Sequence, residues 1–323
     1  MNSILKKARN KFLGFCFILI LVSAPSISEA QEEAGRGEIV VMPADNIYSD
    51  SARYYLGEYR KILADLLNFP LDTTVVVFIA DSDEEFRNLV GSEFPDWGAG
   101  GASLKYSTIA IKSPKYIKVG KSFRELLGHE LTHIMLNRAS GNQWLPRWIH
   151  EGLSMRVSGE WTIGQDILVA KAAWTKRLLN LYRLENLSEF SGAQANLAYT
   201  ESYLAVGDLI KPSDRYLLAD LLAMYRDNHD FYKSFKYMVG VDYSGWTATW
   251  LERISMRYHY FLFLFDENML WLIVPLFFII LVILKKRQGS KVKKRWKMED
   301  RFNPPDESYK EYYDGYYDDQ DKI

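Results

Sequence analysis

The sequence predicts an α+β fold, with a small N-terminal sheet followed by a mostly helical part. Two observations carry this. Runs rich in β-branched residues fall at 73–80 (TTVVVFIA) and 107–112 (STIAIK), and such residues suit a pleated, half-buried surface. From Ser122 to about Tyr260 the apolar positions recur instead at helical spacing. Strands first and helices afterwards argue for segregated layers, not for a doubly wound sheet.

Each element has its own local reason. Residues 31–45 read as an entry segment ending in a short strand at 38–42. Residues 51–69 place Tyr55, Leu56, Tyr59, Ile62, Leu63, Leu66 and Leu67 at helical spacing and stop before Pro70. Residues 83–90 form a short helix closed by Gly91, and Gly98-Ala99-Gly100-Gly101 reads as a loop. The segment 107–112 alternates apolar positions and reads as a second strand, with an edge that an extended peptide can pair with. Ser122-Phe123-Arg124-Glu125 is a capping box, so a helix should start there and run to about Ala139, just before Gly141. Leu145-Pro146-Arg147-Trp148 opens the next helix, with Pro146 suited to its first turn.

The ends of the chain concern a membrane. A formal net charge of -1 over 323 residues hides strong segregation. Lys6, Lys7, Arg9 and Lys11 precede the apolar stretch 12–24, and Ser28-Glu29-Ala30 supplies small residues for cleavage. Residues 1–30 therefore read as a secretory signal. Residues 269–284 carry no charge and are followed by Lys285, Lys286, Arg287, Lys291, Lys293, Lys294, Arg295 and Lys297. A transmembrane helix at 261–284 with its basic flank in the cytoplasm fits the positive-inside rule. The domain at 31–260 then lies outside, on an inner-membrane, single-pass protein. The tail, 285–323, is first basic and then acidic and Tyr-rich, and reads as disordered and suited to a cytoplasmic partner. The rest of the chain carries about -7, which argues against nucleic acid as a partner. Cys16 is the only cysteine. With the signal removed, any metal must be held by His and carboxylate.

The chemistry concentrates in His129-Glu130-Leu131-Thr132-His133. Residues i and i+4 lie about 40° apart around a helix, so both imidazoles can share one metal ion. Glu130 is rotated away from that ion and suits the general base of a metal hydrolase. A catalytic zinc site needs a third protein ligand and an open position. Glu151, one turn into the next helix, is the best candidate. Gly152 after it costs about 1 kcal/mol against alanine in a helix, which close approach of the two helix backbones, this one and that of His129 and His133, would explain. His150 points about 100° away from Glu151 and is not read as a ligand. His229 and His259 read as surface or packing residues. Leu136 and Ala139 stand where a metzincin requires Gly and His.

HELTH followed after 17 residues by the Glu of WIHEG resembles the gluzincin pattern HExxH…WxxEG. The nearest likeness is to the peptidase MA-like family of bacterial membrane or exported proteins. It extends over roughly residues 38–255 and includes LPRWIHEGLS, AYTESYLAVGDLI and a last helix with Trp246 and Trp250. The resemblance implies a thermolysin-like domain with Zn2+ on His129, His133 and Glu151, and peptide hydrolysis with Glu130 as general base. It also implies a Tyr that stabilises the oxyanion. Tyr199 in AYTESY matches best, and Tyr203 one turn later is the alternative. The chain departs from the family in having His150 before Glu151, and no carboxylate four residues after it. Ser154 or a backbone carbonyl would then orient a metal-bound His. The expected substrate is a protein or peptide outside the cytoplasm. The competing expectation is a non-catalytic, membrane-tethered binding or assembly protein with the same fold.

Overall fold

The uninterrupted apolar run at 75–80 becomes an inner strand of a sheet covered on both faces. A computed structural model of the chain describes residues 37–91, 94, 98–117, 120–189, 192–259 and 267–302. Its four strands are β1 (Ile39–Met42), β2 (Val75–Ala80), β3 (Gly100–Ser103) and β4 (Thr108–Lys112), in the order β1-β2-β4-β3. The β1–β2 and β2–β4 pairs are parallel, and only β3–β4 is antiparallel. Val75, Val76, Val77, Ile79, Ile109, Ala110 and Ile111 are all buried, as parallel strands with both faces covered must be.

Two helices complete this layer. Helix α1 (Ser49–Leu67) buries Leu56, Tyr59 and Leu63 and ends at Asn68, whose left-handed backbone closes the last turn. Helix α2 (Asp83–Val90) is N-capped by Ser82 and packs Phe86 and Val90 against Ala80 and Ala110. Alternation along β4 sends Ile109 and Ile111 to the opposite face.

Two sequence expectations need correction here. The glycine run at 98–101 is not wholly loop, because β3 starts at Gly100. Glycine is poor in strands, so propensity hides this one. The strand at 107–112 is not an edge either. β4 lies between β2 and β3, and β3 forms the rim of the sheet on that side.

The helical part follows the expected order. Helix α3 (Phe123–Ala139) begins with the capping box of Ser122 and Glu125. Helix α4 (Arg147–Ser158) starts one residue after Pro146. Then come α5 (Ile163–Trp174), a 3-10 segment (Leu181–Glu189), α6 (Gly192–Leu209), α7 (Leu217–Asn228), α8 (Phe231–Val239) and α9 (Tyr243–His259). Trp148 of α4 stacks on Trp246 at 5.5 Å and donates its indole N–H to the Tyr243 hydroxyl at 2.7 Å. The final Trp-rich helix thus anchors the start of α4.

Buried in α6, Glu201 has, among the described residues, only the Leu179 backbone N–H as a partner, at 2.9 and 3.1 Å. Burial pushes its carboxyl up to about 8, against the partial opposition of that N–H. A carboxyl raised in the folded state loses stability as pH rises from its unfolded value, near 4.5, to its folded one. Glu201→Gln should therefore stabilise the protein by roughly 3 kcal/mol at pH 7, and by almost nothing below pH 4.5. Denaturant midpoints of both proteins across this range check the sign.

The remaining residues, from Leu262 onward, form a separate compact unit. Its helix α10 (Glu267–Phe302) runs through the basic block, so residues 285–302 are helical, not irregular as expected. Lys, Arg and Met are good helix formers and extend the helix begun in the apolar segment. Among the described residues no helix is long and apolar enough to cross a membrane. The signal segment at 1–30, residues 261–266 of the expected span and the tail from 303 lie outside the described residues.

Candidate metal centre

Helices α3 and α4 pack side by side and bring three side chains together. His129 Nε2 lies 3.7 Å and His133 Nε2 3.9 Å from Glu151 Oε2. One ligand atom from each of the three lies within 4.8 Å of the others. A tetrahedral ion with bonds near 2.0–2.1 Å has ligand edges of roughly 3.4 Å, so a small shift would close these donors on a divalent cation. Two imidazoles and a carboxylate without thiolate also suit such an ion chemically. His129, His133 and Glu151 can hold a metal.

Each of the three is held from behind. His129 Nδ1 donates to Glu160 Oε1 at 2.7 Å, which leaves Nε2 free to face the centre. Ser158 Oγ also donates to Glu160 Oε1 at 2.7 Å, and Lys121 Nζ pairs with Oε2 at 2.5 Å. His133 Nδ1 faces Ser154 Oγ at a long 3.4 Å, one of the two partners expected from sequence. Arg147 Nε donates to Glu151 Oε1 at 3.3 Å, so one carboxylate oxygen is tied back and the other points inward.

Glu160 is the residue that sequence reasoning missed. The spacing rule places an orienting carboxylate four residues after the ligand, within α4. Here α4 ends at Gly159, whose left-handed backbone turns the chain, and Glu160 returns toward His129 from beyond the helix. The signal was present as a helix-ending glycine followed by an acid.

The electrostatics match this arrangement. Burial and Lys121 oppose a charge on His129, but its bonds to Glu151 and Glu160 win and raise it to about 9. Burial lowers His133 well below its ordinary value, against the pull of Glu151. Burial alone would raise Glu151, yet His129, His133 and Arg147 hold it well below the usual carboxylate range. Glu160 is likewise held down, to about 2, by His129 and Lys121 against burial.

Glu130 stands apart from the three, as its helical position requires. It is 7 % exposed and pushed up to about 7, first by burial and then by Glu151 and Glu160, against His129 and Lys121. A Cβ on Gly100 would lie 3.1 Å from Glu130 Oε1. Glycine there lets the rim strand β3 close directly over this carboxyl.

His150 is outside the centre. Its ring sits 5.6 Å from that of His133, its Nδ1 is buried without a hydrogen bond, and burial lowers it to about 4. His229 caps the end of α7, exposed and left-handed.

Helix α6 presses on α4 from the other side. A Cβ on Gly152 would meet the Ser202 carbonyl oxygen at 2.2 Å. The close approach at Gly152 is therefore to α6 and not, as expected from sequence, to the helix that carries His129 and His133. Backbone cannot yield as a flexible side chain can, so Gly152→Ala should cost about 3 kcal/mol or more and displace Glu151. Thermal unfolding together with a metal titration would register both effects. Tyr199 lies on α6, half-buried, three residues before Ser202. Tyr203 stacks on Trp161 at 4.3 Å, with the Arg156 guanidinium 4.3 Å from its ring, so packing already engages it.

No curated protein matches the chain. The family model of the peptidase MA superfamily matches residues 62–256, which takes in β2, the whole metal centre and most of α9. With more than half of its length matched and its His-His-Glu cluster within the matched part, the chain belongs to the peptidase MA superfamily.

Proposed function

We propose that the protein is a membrane-anchored zinc metallopeptidase that hydrolyses peptide bonds on the far side of the membrane from the cytoplasm. The observation that carries this reading is the pairing of a metal-competent His129–His133–Glu151 cluster with the separate, buried carboxyl of Glu130. His129, His133 and Glu151 would hold the ion. When bound, zinc lowers the pKa of water to about 7 and polarises a carbonyl.

The other steps fall to the chain itself. Glu130 takes a proton from the attacking water and delivers it to the leaving amine nitrogen. Its raised proton affinity suits both halves of that transfer. The rim strand β3, close to Glu130 at Gly100, offers backbone groups to an extended substrate. Tyr199 is assigned the role of donor to the developing oxyanion. Retention of Glu130 favours catalysis over a purely binding role.

For the anchor the reading rests on the apolar stretch and basic flank of α10, although among the described residues that helix is not long and apolar enough to cross a membrane by itself. Val274 and all residues from Leu276 to Leu284 are large, apolar and exposed, and the cationic block follows directly. Purified full-length protein in detergent should cleave an unstructured protein, stop with a chelator and recover with zinc. Cleavage that ignores the chelator would remove the metal from the account.

A further inference from the structure

Beside the start of α4, three elements bring tyrosine rings together near the carboxylate of Glu185. Tyr182 comes from the 3-10 segment, Tyr232 from α8 and Tyr243 from α9. The Tyr182 and Tyr232 rings lie 4.9 and 5.4 Å from that of Tyr243 and stand steeply to it, at 89° and 67°. Tyr182 and Tyr232 remain 43 % and 48 % exposed, while Tyr243 is buried beneath them.

Glu185 lies one turn after Tyr182 in the same segment. Its Oε1 accepts the Arg147 backbone N–H at 2.9 Å, its one hydrogen bond among the described residues. Burial raises its carboxyl to about 7, against Arg147, and its charge acts on both Tyr232 and Tyr243. Asp242 adds a second acid near Tyr182. Arg147, whose backbone N–H the Glu185 carboxylate accepts, pairs its side chain with Glu151 at 3.3 Å. Ring faces and an under-partnered carboxylate both attract cations.

Arg147 ties this cluster to the metal centre, since its backbone meets Glu185 and its side chain meets Glu151. We infer that Tyr182, Tyr232, Tyr243 and Glu185 form a subsite for a cationic side chain, lysine or arginine, next to the scissile bond. The inference rests on the peptidase reading for its place in catalysis, but binding at the subsite does not.

The test separates the two. Calorimetry on full-length, zinc-loaded Glu130→Gln protein would compare Nα-acetyl-lysine amide with Nα-acetyl-norleucine amide, with and without Glu185→Gln. The amide oxygen introduced by Glu185→Gln still accepts the Arg147 N–H, so the fold is retained, and Tyr232→Ala serves as an independent variant. The lysine amide should bind at least about tenfold tighter than its neutral counterpart, and both variants should erase that preference. In parallel, peptide-mixture cleavage by the protein that retains Glu130 should favour bonds flanked by Lys or Arg. Equal binding of the two amides, or an unchanged preference in Glu185→Gln, overturns the subsite. Selective binding without any cleavage leaves the subsite standing and overturns the peptidase reading.

Discussion

Replacing Glu130 by Gln is expected to cut peptide hydrolysis by about 10²- to 10⁴-fold with metal content unchanged. The substitution keeps the shape that packs against Gly100 and removes only the proton acceptor. Glu130 is not among the three residues that can hold the ion, so its loss should not release metal. The wild-type pH profile should carry the same signature. A base must be ionised to act, so kcat/KM should rise with pH up to an apparent pKa at or below about 7, since a bound cation favours the ionised form. Comparing kcat/KM and metal stoichiometry of the two proteins checks both statements. Equal activity would remove Glu130 from the mechanism, and a metal-free variant would make it a ligand.

Glu160→Ala is expected to weaken metal binding by about 10- to 100-fold, the usual consequence of losing the partner of a ligating histidine. Three groups converge on this carboxylate: His129, Ser158 and Lys121. Its removal frees the His129 ring to rotate and leaves Lys121 without its counter-ion beside the centre. Glu160→Gln should fall between, since it keeps an acceptor for His129 but sets an amide against Lys121. Competition titrations against a chelator of known affinity measure the series. An unchanged affinity in Glu160→Ala would reduce the residue to a helix-end contact.

The metal centre was largely legible because its residues are close in sequence and helix geometry is strict. The spacing of His129 and His133 fixes their common face, and Pro146 starts α4 early enough to place Glu151 one turn in. The capping box of Ser122 and Glu125 and the close contact at Gly152 were legible for the same local reasons. What failed depended on tertiary contacts. β3 hides in a glycine run because Gly100 must lie against Glu130. The run Val75–Ala80 lacks alternation, the mark of a strand buried on both faces, yet only the pairing reveals that β1, β2 and β4 are parallel. Glu160 escaped because it acts from beyond the helix that carries Glu151. The aromatic cluster around Glu185 comes from segments far apart in the chain and has no local pattern at all.

The proposed zinc site is formed by His129, His133 and Glu151 together. Its most direct test is the metal content of the purified full-length chain beside His133→Ala and Glu151→Ala, with folding verified by circular dichroism. One zinc per chain in the wild type and none retained after dialysis in either variant is the predicted result. A wild type without stoichiometric metal, or variants that keep it, would contradict the account.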